Sequence, residues 1–418
     1  MPERGSKQGR AFAADRLIAK MHKRLAAMPT EVEQIRPVTS RYRLYVASKS
    51  SILAKIERIE ILMICLKPHV VRTDAIQSFV VQETPIVRIT DSDGAVGTGY
   101  SYTIGTGGHS VMALLERTLA PALLGRDAET IEKNWRDLVF LTHATTVGAI
   151  TAIAMAAIDI ALWDLRSRKT GIPIYKLAGG AQSSVPLYTT EGGWLHVDTA
   201  TLVDDAIAAK EQGFGGAKLK VGRPLHEDVS RLCAVRKAVG DDFEIFVDAN
   251  QSLHIDEALI RARRYEEFNV GWLEEPLPAD DIAGHARLAH ATSLPIAVGE
   301  SIYSIRHFRE YLQRGACSIV QVDVGRIGGI TPWLKVAHMA ECFNVTVCPH
   351  FLMELHVALC AAVPNARWVE YIPQLDSITT EGLKIENGRA FPSEQPGLGI
   401  AWDWDAIRAR TIVSGDIR

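Results

Sequence analysis

No two of the six cysteines form a C-x-x-C pair, and no H-x-H closes an early apolar run. The first absence removes the usual zinc ribbons and thioredoxin-like redox motifs. Cys65, Cys233, Cys317, Cys342, Cys348 and Cys360 therefore read as reduced thiols of a cytoplasmic protein rather than a disulfide frame. The second absence disfavours a zinc-dependent barrel hydrolase. Net charge is small as well. The 46 basic side chains against 49 acidic ones leave a formal −3, which gives no general attraction for nucleic acid or an anionic membrane. A long uncharged apolar run is also missing. The nearest approach, 147–165 (VGAITAIAMAAIDIALWDL), carries Asp159 and Asp164, which would be costly in lipid. Rich in alanine, it reads as a helix buried between two domains.

With 418 residues, 47% of them hydrophobic, the chain can hold a full barrel and a smaller second domain. Its first 50 residues contain eleven Lys or Arg against four Asp or Glu and little sustained apolar period, so 1–50 is expected to be a mobile basic extension. An α+β capping domain is expected over 51–180. Its strands fall at 56–66, 77–90 and 95–102, with a turn at Asp91-Ser92-Asp93-Gly94, and its helices at about 109–124, 127–141 and 147–169. The barrel is expected over 181–375, and 376–418 as a C-terminal segment returning to the cap.

From residue 218 onward charged residues end short apolar runs, once every 20 to 28 positions. In order they are Lys218 and Lys220 (AKLKVG), Asp248 (EIFVDAN), Glu274 (VGWLEEP), Glu300 (LPIAVGE), Asp323 (IVQVDVG), His350 (VTVCPHF) and Glu370 (RWVEYIP). Such a period fits one strand, one helix and two loops, and so predicts a parallel α/β barrel whose strand ends share one mouth.

Acids at strand ends often cap the next helix. Three in consecutive units, Asp248, Glu274 and Glu300, point instead to a shared ligand set. Carboxylates without His or Cys favour Mg²⁺, or Mn²⁺, over zinc. Strand alternation lets only one of Glu274 and Glu275 face the mouth, and the spacing selects Glu274. Lys218 and Lys220 lie two apart and point the same way. Buried side by side, they are expected to lose affinity for protons and supply a base near neutral pH. Asp323 beside His350 would fix the imidazole and raise its basicity, giving a second acid/base group. Glu370 would hydrogen-bond a substrate carboxylate if protonated, or cap a loop if ionised. This set suits removal of a proton next to a carboxylate, where a cation stabilises the enediolate. Return of the proton to the other face is racemisation; loss of a β-hydroxyl is dehydration.

The residues at this point resemble the enolase superfamily, in its mandelate racemase-like subgroup. The likeness runs from about residue 56 and includes AAIDIALWDLRSRKTGIPIYKLAGG, Lys218-Leu-Lys220, VDANQS, WLEEP, VGE, the Asp323/His350 pair and WVE. It implies a (β/α)₇β TIM-like barrel with an α+β cap formed by the N-terminal segment and the C-terminal tail, and one Mg²⁺ on Asp248, Glu274 and Glu300. The resemblance further implies Lys220 as one acid/base group and His350, assisted by Asp323, as the other. Lys218 and Asn250 would hold the substrate carboxylate and α-oxygen, and Glu370 would assist the enediolate. TTEGGWLH (189–196), GGAKLKVGRP (215–224), YEEFNVGWLEEPL (265–277) and PHFLMELH (349–356) are similar to dehydratases of L-talarate and galactarate. RTDAIQSF (72–79) and SYTIGTGGHS (101–110), which would close over the distal end of the substrate, match less well.

The expectation is a Mg²⁺-dependent hydro-lyase acting on a small polyhydroxy acid, an aldarate such as galactarate or L-talarate. The alternatives are a racemase or epimerase of a 2-hydroxy acid and a dehydratase of an aldonate. A homo-oligomer is expected, with neither nucleic acid nor membrane as partner. A non-catalytic protein on the same scaffold should have lost a ligand or a base, and this sequence keeps them all.

Overall fold

Alternation along Ile56–Leu66 buries Ile59, Ile61 and Met63 on one face. The computed structural model describes residues 54–418, and the basic extension expected over 1–50 lies outside the described residues. In it, Ile56–Leu66 sits inside a four-stranded antiparallel cap sheet. Gln82–Asp91 pairs on one side, with Val96–Tyr100 beyond it, and Thr411–Ile417 pairs on the other. The strand expected over 77–90 is broken. Ser78–Phe79 pairs back with Arg72–Thr73, and the long strand starts at Gln82. Phe79 turns inward to meet Phe351 at 5.7 Å between ring centroids, which leaves Val80 exposed.

Helix Ala149–Thr170 lies between cap and barrel, and its small residues permit close approach. A Cβ on Gly99 of the cap sheet would stand only 2.2 Å from the Ala157 carbonyl oxygen. Both aspartates of this apolar helix serve backbone N–H groups. Asp159 accepts from Thr331 N (2.9 Å) at the start of helix Ile330–Cys342. Asp164 accepts from Thr98 N (2.8 Å) in the cap and Leu398 N (2.6 Å) in the tail. Among the described residues no helix is long and apolar enough to cross a membrane.

Eight parallel strands form the barrel: Val185–Thr189, Gly216–Lys220, Glu244–Asp248, Val270–Glu274, Ile296–Val298, Ile319–Val320, Thr346–Val347 and Val369–Tyr371. Each pairs with the next as far as the seventh, and the eighth pairs with the first through Val369 and Leu187. A parallel bridge between Val347 and Ala366 links the seventh to the approach of the eighth. One main helix fills each of the seven intervals, from Thr199–Glu211 to Met353–Ala362, with a short extra helix, Val324–Ile327, ahead of Ile330–Cys342, and these complete (β/α)₇β. The tail divides. Its hairpin, Lys384–Glu386 with Arg389–Phe391, adds antiparallel to the first barrel strand, while Thr411–Ile417 joins the cap sheet.

Candidate active site

Barrel strands carry side chains alternately inward and outward, so residues two apart form successive interior layers. The lower layer contains Tyr188, Phe246, Trp272, Ala297, Ile319 and Cys348, with Trp368 packed against it. Phe246 and Trp272 stack at 3.5 Å. Two residues beyond Phe246, Trp272, Cys348 and Trp368 stand Asp248, Glu274, His350 and Glu370. The aromatic floor thus carries a charged layer directly above it.

Glu300 departs from this count. It follows Gly299, whose φ is +154° and whose added Cβ would lie 2.5 Å from the Gln321 carbonyl carbon. Only glycine fits this turn of the backbone, after which Glu300 joins the layer. One oxygen each of Asp248, Glu274 and Glu300 lies within 4.8 Å of the others, and all three residues are buried. Glu300 Oε2 has no hydrogen-bond partner; His350 Nε2 is 3.4 Å away. Oxygen-only donors that crowd their negative charge in a buried place fit a hard divalent cation.

The neighbours orient these ligands. Glu274 Oε2 accepts from Trp272 Nε1 (3.0 Å) and Gln321 Nε2 (2.7 Å). Asp248 Oδ1 accepts from Asn250 N (2.8 Å), and Arg326 Nη1 reaches Glu300 Oε1 at 3.3 Å. Glu275, next to Glu274, turns away at φ +37° and receives Gln251 Nε2 (3.0 Å).

Lys218 Nζ stands 2.7 Å from Glu274 Oε1 and 2.8 Å from Glu370 Oε1, and Lys220 Nζ is 2.5 Å from Asp248 Oδ2. The charge of Lys218 does lower the pKa of Lys220, but the net direction at both lysines is opposite to the expectation. Burial does pull both down, but Glu274 and Glu370 at Lys218, and Asp248 at Lys220, outweigh it and raise them. The same crowding acts on the acids: burial, against the attraction of Lys218, pushes Glu274 up to about 7. Glu370 accepts from Phe351 N (3.0 Å) and Thr190 Oγ1, the loop-capping arrangement of its two options. Burial opposes its charge, yet Lys218 and His350 hold its pKa well below the carboxylate range.

His350 Nδ1 meets Asp323 Oδ2 at 2.9 Å. Burial lowers the imidazole's pKa, but the charge of Glu300 and the Asp323 hydrogen bond prevail and raise it. A small cavity opens onto Lys220, Asn250, Glu300, His350 and Glu370. Asn250 Oδ1 is buried there without a partner. The cap contributes Asp74, Gln77, Phe79 and Ile104 to the cavity wall, so both weakly matching cap segments reach it.

Sequence reasoning missed Trp272, Gln321, Arg326 and Tyr102. Trp272 and Gln321 stand two residues before Glu274 and Asp323, so strand alternation alone could have marked them. Arg326 follows Asp323 by three, on the short helix that Asp323 caps. For Tyr102, which donates to Asp323 across 221 positions of sequence, no local signal exists.

Taken together, barrel, cap and acidic triad define an enolase-type protein. Residues 59–179 match the mandelate racemase / muconate lactonizing enzyme N-terminal domain, and residues 201–406 match the enolase C-terminal domain-like family. The L-talarate/galactarate dehydratase of Salmonella typhimurium is 39% identical over 324 residues, 77% of this chain and 81% of that protein. Its crystal structure with Mg and L-lyxarohydroxamate superposes with a TM-score of 0.84 at 34% identity, covering 94% of this chain and 99% of that one. A 3,6-anhydro-alpha-L-galactonate cycloisomerase of Streptomyces coelicolor is 37% identical over 77% of this chain and 89% of its own length. The chain belongs to the enolase superfamily, in the mandelate racemase / muconate lactonizing enzyme family.

Proposed function

We propose that this protein is a Mg²⁺-dependent hydro-lyase that dehydrates a sugar acid, an aldarate such as galactarate or L-talarate, to a 2-keto-3-deoxy acid. The observation that carries the reading is the meeting of three buried carboxylates on one point beside Lys220 and His350. Asp248, Glu274 and Glu300 would hold the ion. Bound there, Mg²⁺ would stabilise an enediolate and offset the carboxylate charge that otherwise keeps Lys220 protonated.

Lys218 and Asn250 hold the substrate carboxylate and α-oxygen. Lys220 takes the α-proton as the α-carbon–hydrogen bond breaks, and Glu370 assists the enediolate through Lys218. His350, oriented by Asp323, gives its proton to the β-hydroxyl, which leaves as water. The resulting enol rearranges to the keto acid, with no oxidant or reductant required. A proton transfer of each kind is worth about 10²–10⁴ in rate.

The test is purified protein with Mg²⁺ against a library of acid sugars, with keto acids trapped by semicarbazide. Silence across the library overturns the reading. A second reading, an aldonate, is favoured by Asp74. Asp74 lines the cavity, while the basic lining residues are Lys220 and His350, with none from the cap. A second substrate carboxylate near Asp74 would be repelled, so a six-carbon aldonate belongs in the library. Exchange of the α-hydrogen with solvent deuterium, without keto acid, would point to a racemase. A cytoplasmic homo-oligomer belongs to the same reading, and light scattering tests the assembly.

A further inference from the structure

Tyr102 is a cap residue just beyond strand Val96–Tyr100, and it is buried. Its hydroxyl donates to Asp323 Oδ2 at 2.6 Å, the oxygen that also faces His350 Nδ1, and stands 3.5 Å from Nδ1 itself. Asp323 Oδ1 is taken by Gly325 N (2.7 Å) and Arg326 N (3.2 Å). One carboxylate oxygen therefore fixes the barrel backbone, and the other is shared between the imidazole and the cap. The Tyr102 ring packs on Phe351, next to His350, at 4.5 Å between centroids. The Arg326 guanidinium lies 5.3 Å from its centroid while reaching Glu300.

We propose that Tyr102 is a positioning residue: the cap supplies the hydroxyl that fixes the rotamer of Asp323 and, through it, the direction in which His350 presents Nε2 to the cavity. The inference rests on the reading of His350 as the group that protonates the departing hydroxyl. A tyrosine that merely filled the core would act on stability alone. A positioning tyrosine acts on the step that uses His350 and spares the step that uses Lys220. Coupling of this kind also makes a seated cap a condition for elimination, because without Tyr102 the Asp323 carboxylate loses its only side-chain tether from the cap among the described residues.

The experiment is Tyr102→Phe in the full chain with Mg²⁺, which keeps the ring and removes the hydroxyl. Loss of such an outer hydrogen bond is expected to lower kcat for keto-acid formation about tenfold, with KM and Mg²⁺ affinity changed less than about twofold. Wash-in of solvent deuterium at the α-carbon of recovered substrate should persist at or above the wild-type rate. Elimination and exchange falling by the same factor, or neither falling, would overturn the inference. Absence of keto acid from the wild type would count against the proposed reaction. The inference would then be judged by a crystal structure of Tyr102→Phe, in which unchanged Asp323 and His350 rotamers refute it and a turned Asp323 carboxylate supports it.

Discussion

Gly299→Ala tests the link between one backbone angle and the whole acidic triad. The added Cβ would stand 2.5 Å from the Gln321 carbonyl carbon and 2.8 Å from both its nitrogen and its oxygen, distances that real Cβ atoms do not adopt. The obstacle is backbone immediately after the sixth barrel strand, so it cannot swing aside like the end of a side chain. Holding a residue with a Cβ at φ +154° costs about 1–3 kcal/mol, and crowding in a packed interior adds a further ~1–3 kcal/mol. Together, roughly 2–6 kcal/mol is a large part of an ordinary folding free energy of about 5–15 kcal/mol. The chain can relieve the clash only by moving Glu300 or by parting the fifth and sixth strands. Calorimetric titration with Mg²⁺ and a melting curve read these two responses separately. The expected result is at least a tenfold loss of Mg²⁺ affinity, about 1.4 kcal/mol, together with a Tm lower by roughly 5 °C or more. A variant with wild-type Tm and Mg²⁺ affinity would refute the reasoning, since it would show that Glu300 does not depend on that glycine.

Three further outcomes are expected. Asp159 is pushed by burial from its ordinary 3.8 up to about 7, so the folded state binds its proton more tightly than the unfolded state between those values. Stability from this group is therefore present below about pH 4 and lost as pH rises to about 7. Asp159→Asn should exceed the wild type by roughly 1–4 kcal/mol at pH 8 and lose that lead near pH 4, as measured by urea unfolding across pH. Lys220→Ala should cut both α-hydrogen exchange and keto-acid formation by about 10²–10⁴, whereas His350→Asn should cut keto-acid formation more than exchange; deuterium wash-in and semicarbazide trapping follow the two together. Removal of Mg²⁺ with EDTA should abolish turnover and lower Tm, since an ion at a hundredfold excess over its Kd stabilises by about 2.7 kcal/mol; an unchanged melting curve would deny the triad its ion.

The parts legible in the sequence were those governed by short-range repetition. The 26-residue steps from Asp248 to Glu274 and from Glu274 to Glu300 marked strand–helix units, and the barrel delivers those ends to one mouth. Strand Ile56–Leu66 falls where its apolar pattern places it. The helix expected from 127 begins at Ile131, because Asp127 accepts from Glu129 N and holds the chain in a turn first. What escaped was set by partners distant in sequence. The lysine spacing showed that both side chains share a face, but not that Glu274, Glu370 and Asp248 would meet them there. Phe79 could not be seen to break a strand, since the reason is an aromatic ring 272 positions later, at residue 351.

Arg58 and Asp416 form an ion pair across 358 positions, between the described chain's first long strand and its last. As the polypeptide leaves the ribosome, every element of the barrel is made while one border of the cap sheet still lacks its neighbour. Until residues 411–417 emerge, Ile56–Leu66 offers a bare row of amide and carbonyl groups, a template for pairing with another nascent chain. Carboxy-terminal trimming or a bulky fusion placed at that strand would thus disturb the lid over the reaction chamber before it disturbed the chamber itself.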